Sequence, residues 1–140
     1  MELVQLAFDK IMQTRSYTEI VLKARDVKNQ EKKFAIYVDS SVGKTLQAYL
    51  TEIEKERPQT HDFISSLFKG FDILVKHVII NDVQDTIYYA RLFLEQQRGG
   101  VRYVVEIDGR PSDFITIALM HNAPVYCSKD VFEKVVPLVE

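Results

Sequence analysis

Two short segments hold the side chains best suited to polar chemistry. One is Arg57-Pro58-Gln59-Thr60-His61-Asp62, the other Asp108-Gly109-Arg110-Pro111-Ser112-Asp113. Each runs Arg-Pro, then a hydroxyl residue, then an acid, ahead of an apolar periodic stretch. His61, with an ordinary pKa near ~6.5, can serve as acid or base, and free N–H groups at a helix start attract anions. Arg110 between Asp108 and Asp113 suits an arginine–carboxylate network that fixes its loop. The same residues suit a divalent cation held by Asp62, Asp108 and Asp113 near His61, with Arg110 facing a phosphodiester. Oxygen-rich ligation points to Mg2+ or Mn2+ rather than structural zinc. No organic cofactor is implied.

Other candidates are weaker. Tyr88 and Tyr89 fall on opposite faces of a strand, and Arg91 shares the face of Tyr89. That pair could stack on bases and contact phosphate, or sit in a subunit interface. His77, in a β-prone run, and His121, late in a helical run, have no ligand partner nearby in sequence and read as structural. Cys127, the single cysteine, reads as a buried strand thiol. Gly43-Lys44-Thr45 ends like a phosphate-binding loop, but Val38 stands where its first glycine belongs.

Alternating and helical periodicities place these segments. Strands are expected around Val4 to Phe8, Ser16 to Ala24, Phe34 to Asp39, Leu74 to Ile80, Thr86 to Glu95, Val101 to Asp108 and Val125 to Cys127. Asn29 marks a turn, and Asn81-Asp82 with the following Gln84-Asp85 forms the polar break of a hairpin. Helices are expected from Gly43 to Glu56, from a Thr60 cap to a Gly70 stop, from a Ser112 cap to near Asn122, and from a Ser128 cap to about Val136. The order β-β-β-α-α-β-β-β-α-β-α, with polar alternation in the strands, predicts an α+β fold. A single domain over residues 1–140 would carry a mixed, largely antiparallel sheet packed with helices.

The composition supports a folded core: 46% of the 140 residues are hydrophobic, including seven Tyr and eight Phe. A net charge of −2 supplies no bulk positive field for nucleic acid. No apolar run reaches membrane-spanning length and no leader pattern opens the chain, so a cytoplasmic location is expected. The strands carry more apolar positions than one sheet face needs. A homo-oligomer follows as an expectation, a dimer first and a trimer second.

From Arg57 onward the chain resembles the bifunctional nuclease domain family. The matching segments are the two Arg-Pro loops, Val78-Ile79-Ile80-Asn81-Asp82, Thr86-Ile87-Tyr88-Tyr89-Ala90 and Ala123-Pro124-Val125-Tyr126. The resemblance implies a compact, oligomeric α+β domain, and plant members are described as cutting DNA and RNA. The family's Thr-His-Asp falls on Thr60, His61 and Asp62. Its Asp-x-Arg-Pro-Ser-Asp falls on Asp108 and on Arg110 to Asp113. A strand that usually ends in Gly ends here in Asp39, and Val42-Gly43 replaces a usual Glu-Ala pair, so a carboxylate is missing.

Two functions compete. In a metal-dependent nuclease, Asp62, Asp108 and Asp113 hold the cation and His61 activates water or protonates the leaving oxygen. Arg57 and Arg110 then neutralise phosphate, with Thr60, Tyr89, Arg91 and Ser112 as further nucleic-acid contacts. In a non-catalytic regulatory domain the same loops are architectural, or capture an anionic ligand or partner.

Overall fold

Strand alternation and helical stripes need a common apolar interior, and one curled sheet provides it. The computed structural model describes residues 2–25, 32–53 and 56–138. In chain order its elements are β1 (Leu3–Gln13), β2 (Thr18–Ala24), β3 (Lys33–Val38), α1 (Ser40–Leu50), α2 (Thr60–Gly70), β4 (Leu74–Gln84), β5 (Ile87–Arg98), β6 (Val101–Gly109), α3 (Pro111–Met120), β7 (Val125–Ser128) and α4 (Lys129–Lys134). The expected α+β order is therefore observed. The sheet runs β3-β2-β1-β7-β4-β5-β6, and only β4–β7 among its pairings is parallel.

The sheet bends far enough for distant strands to meet. Phe34 of β3 stacks on Tyr88 of β5 at 6.0 Å between ring centroids, although four strands separate β3 from β5 in sheet order. Register shifts in β1 and at two places in β4 help this curvature, because an extra residue bends the strand that carries it. Leu22, Phe34, Leu46, Ile80 and Ile115 fill the interior and are almost fully buried. Burying each such side chain is worth about 1.5–3 kcal/mol.

Helix ends differ from the sequence expectation for one recurring reason. α1, α2 and α3 each stop where a non-glycine residue turns left-handed: Glu52, Asp72 and Asn122, with φ of 54°, 54° and 53°. The next amide then bonds back five residues: Ile53 N–H to Ala48 O at 3.1 Å, Ile73 N–H to Phe68 O at 2.7 Å, and Ala123 N–H to Ala118 O at 2.8 Å. This double-bonded stop satisfies the last carbonyls. It ends α1 at Leu50 rather than Glu56; α2 ends at Gly70 as expected, but the left-handed residue of its stop is Asp72.

Helix starts also move. α1 begins at Ser40, three residues before Gly43. Gln59 and Arg110, not Thr60 and Ser112, hold the N-cap positions. Pro111 sits in the first turn of α3, where its missing N–H costs nothing. Ser128 does cap α4, accepting the Val131 N–H at 3.1 Å. Of the expected polar break, Asn81-Asp82 stays within β4, and the β4–β5 hairpin turns at its second half: Gln84 pairs with Ile87 and Asp85 is left-handed (φ 59°). The turn expected at Asn29 lies outside the described residues.

Candidate functional site

The curl of the sheet and the start of α3 build one polar cluster. Arg110 extends from the N-cap of α3. Its Nε donates to Asp113 Oδ2 at 2.9 Å and a terminal nitrogen lies 3.4 Å from Oδ1. Spacing of three residues across a helix start is what lets this fork close. His61, in the first turn of α2, reaches the same carboxylate: its Nε2 is 3.0 Å from Asp113 Oδ1. Asp39, the N-cap residue of α1, lies 3.8 Å from Arg110. Asp113 is thus the hub of a chain running His61–Asp113–Arg110–Asp39.

Exposure divides that chain into a buried back and an open front. His61 is 8% exposed, whereas the side chains of Arg110 and Asp39 are 63% and 75% exposed. Hydrogen bonding to Asp113, then its charge, raises the Arg110 pKa above its ordinary value. The guanidinium is a permanent, oriented cation. It borders a cleft of about 430 Å3 whose walls include Tyr17, Tyr37, Asp39, Tyr88 and Ser112. Tyr17 and Tyr37 meet edge to face at 5.4 Å. The cleft lies where β3 and the β4–β5 hairpin close on one another.

The remaining sequence candidates go elsewhere. Asp108 projects from β6 toward Arg91, 3.8 Å away, and Glu106 lies 4.0 Å from the same arginine. Arg91 and Asp108 face away from the core, because their neighbours Ala90 and Gly109 pair on the inner face. Asp62 turns back on its own helix, its Oδ2 accepting the Gln59 N–H at 2.8 Å. Arg57 and Thr60 are exposed before and at the start of α2, and Tyr89 is partly exposed on β5. Ser112 stays at the cleft wall but is buried, its carbonyl accepting the Thr116 hydroxyl at 2.8 Å.

Asp62, Asp108 and Asp113 therefore do not fit one Mg2+ or Mn2+ ion. One carboxylate caps a helix, one faces the other side of the sheet, and one is claimed by His61 and Arg110. Among the described residues, no three His, Cys, Asp or Glu side chains form a group able to hold a metal. Asp39 is the cluster member that the motifs did not select. Its signal was present: a carboxylate at a strand end, just before a helix.

Behind the cluster, Ser65 Oγ and His121 Nε2 lie 2.8 Å apart and join α2 to α3. His77 stacks on Phe93 at 4.4 Å on the opposite sheet face. Burial lowers both histidine pKa values from the ordinary 6.5, with the charge of Lys69 adding to it at His121 and that of Lys76 at His77. The unfolded chain then takes up protons first as pH falls, so stability is full above about 6.5 and is lost as pH drops through the lower folded values. Thermal melting is expected to weaken between neutral pH and about pH 5, and the fall should be shallower in His121→Gln and His77→Gln. Cys127 is buried in β7, and burial pushes its thiol up to about 12, which leaves it inert as a nucleophile.

The bifunctional nuclease domain family matches residues 20–138, nearly the whole chain. The protein belongs to this family. Two curated relatives are uncharacterized proteins of Mycobacterium tuberculosis, Rv1829 of strain H37Rv and MT1877 of strain CDC 1551. Each is 28% identical over 103 residues, covering 74% of this chain and 58% of the relative. The matched region thus spans somewhat over half the length of those relatives. No helix among the described residues is long and apolar enough to cross a membrane.

Proposed function

We propose that this domain hydrolyses phosphodiester bonds of single-stranded nucleic acid at the Arg110 cleft. The observation that carries the reading is Arg110 itself, open to the cleft yet aimed by Asp113, which His61 holds from behind. A guanidinium fixed in this way matches two phosphate oxygens without a further ordering cost. Tyr17 and Tyr37 offer faces on which bases stack, whatever their sequence. Asp39 is the exposed carboxylate beside Arg110 and can take a proton from an attacking water. Water oxygen then bonds to phosphorus, the bond to the leaving sugar oxygen breaks, and solvent returns a proton to that oxygen. No step is assigned to a metal, because the expected carboxylates do not converge.

A second reading, nucleic-acid or anionic-ligand binding without cleavage, is favoured by one observation. His61 and Asp113 are engaged with each other, and His61 has almost no open surface. Labelled single-stranded DNA and RNA, incubated with the purified chain with and without Mg2+ or Mn2+, distinguish the two. Cleavage supports the first. Retention of uncut strands that Arg110→Ala abolishes supports the second. Neither binding nor cutting defeats both. We also propose that the chain is a homo-oligomer, a dimer before a trimer, because its surplus apolar strand positions remain exposed.

A further inference from the structure

The two edges of the sheet are finished differently. β3, at one edge, is followed along its side by the C-terminal segment, whose Leu138 N–H bonds to Lys33 O at 2.7 Å. β6, at the other, has no strand beyond it among the described residues. Its nine residues pair with β5 in unbroken register, and eight of them, Val101 to Asp108, are exposed. Edge strands are ordinarily protected by proline, charged side chains or a bulge. β6 has no proline and no register shift, and its charges, Arg102, Glu106 and Asp108, are of both signs and share one face.

Its two faces differ in kind. Val101, Tyr103, Val105 and Ile107 pair with Arg98, Gln96, Leu94 and Leu92, so they continue the inner face of the sheet. They remain 50%, 50%, 50% and 37% exposed. Arg102, Glu106 and Asp108 lie on the outer face, where Arg102 pairs with Glu95 and Glu95 with Lys76 at 3.6 Å. The outward backbone groups follow from the hairpin. Gly99 and Gly100, with φ of 55° and 78°, make a two-residue turn that closes on a hydrogen-bonded Arg98–Val101 pair. Alternation along an antiparallel ladder then directs the N–H and C=O of Arg102, Val104 and Glu106 away from β5.

We infer that β6 is the seam of a two-fold homodimer, pairing antiparallel with β6 of a second copy about Val104. This rests on the homo-oligomer reading and specifies its interface. In that register Val104 meets Val104, and Arg102 meets Glu106 twice. On the inner face Tyr103 lies against Val105, and Val101 against Ile107. The outer face gains a row of alternating charge across the joined sheet: Lys76, Glu95, Arg102, then Glu106 and Arg91 of the second copy. Sliding the strands by two residues sets Glu106 against Val104 or Gly100 instead; the first slide sets Arg102 against Asp108 but leaves Glu106 opposite valine, so only the Val104-centred register pairs both Arg102 and Glu106 across the seam. Self-complementarity of this kind is what a two-fold interface requires.

Light scattering after size exclusion tests the seam. The wild-type chain is expected at about twice 16.2 kDa. Arg102→Glu and Glu106→Arg each set like charges against one another and are expected at the single-chain mass, with thermal melting showing that they remain folded. An equimolar mixture of the two restores both pairs and is expected to return to the dimer mass. Val104→Pro removes an outward N–H and should also give a folded monomer. A dimer that neither charge reversal alters, a mixture that stays monomeric, or a wild-type trimer overturns the β6 seam while leaving a homo-oligomer standing. A monomeric wild type overturns both.

Discussion

Arg110→Ala is expected to lower phosphodiester cleavage by about 10²–10³-fold, the loss typical when one fixed donor to developing oxyanion charge is removed. The estimate rests on geometry. Arg110 stands exposed at the cleft, and its direction is set by the Asp113 fork at 2.9 Å. The neighbouring substitutions should grade accordingly. Arg110→Lys keeps the charge but cannot fork onto Asp113, so it should recover only part of the rate. Asp113→Asn keeps the shape and removes the charge that holds the guanidinium, so its main effect should fall on the rate of the bound complex. His61→Ala acts at one remove, through Asp113, and should cost less than Arg110→Ala. His61→Gln, able to donate to the same oxygen, should lie near wild type. Steady-state kinetics on a labelled oligonucleotide separate these effects. An Arg110→Ala protein that cuts at the wild-type rate would sink the assignment of the cleft.

The order of elements was legible because periodicity is local. Ile20, Leu22 and Ala24, or Phe63, Ile64, Leu67 and Phe68, declare strand and helix without reference to anything distant. Helix ends were less so. Glu52 carries no turn signature and Asp72 a weaker one than the nearby Gly70, yet both adopt the left-handed stop because the following residue bonds back into the last turn. The site was half legible. His61, Arg110 and Asp113 come together as the motifs suggested. Asp108, five residues from Asp113, does not, because a strand residue next to Gly109 points to whichever face Gly109 does not. Asp39 was legible as a strand-end carboxylate but not as a member of this site. Its place beside Arg110 depends on the curl that brings the end of β3 to the start of α3, and no short spacing encodes that. On β6, the apolar row was visible in sequence, but whether it faced a helix or solvent was not.

The same long-range packing makes Gly43→Ala the substitution with the largest expected effect on stability. A Cβ at Gly43 would lie 2.1 Å from Thr18 Oγ1, 2.7 Å from its Cγ2 and 2.6 Å from its Cβ. Rotating the Thr18 side chain moves the first two atoms but not the third, and Thr18 is fully buried. α1 must therefore lift from β2. Overpacking of this kind costs about 1–3 kcal/mol, occasionally more, which lowers the melting temperature by roughly 3–12 °C for a chain of this length. Gly109→Ala is a useful contrast. Its Cβ would meet the tip of the Phe114 ring at 2.4 Å, and a ring tip can tilt away, so the loss should be smaller. Thr18→Ala in the Gly43→Ala background should recover only part of the stability, since the Cβ contact persists. The effect should also reach the cleft. Gly43 N–H bonds to Asp39 O at 3.0 Å, so lifting α1 carries Asp39 away from Arg110. Activity at temperatures well below melting should then fall with stability, and Gly109→Ala should perturb the cleft from the other side, through the start of α3. A Gly43→Ala protein that melts with wild type would mean that α1 has room above Thr18 and that the cleft is not braced from that side.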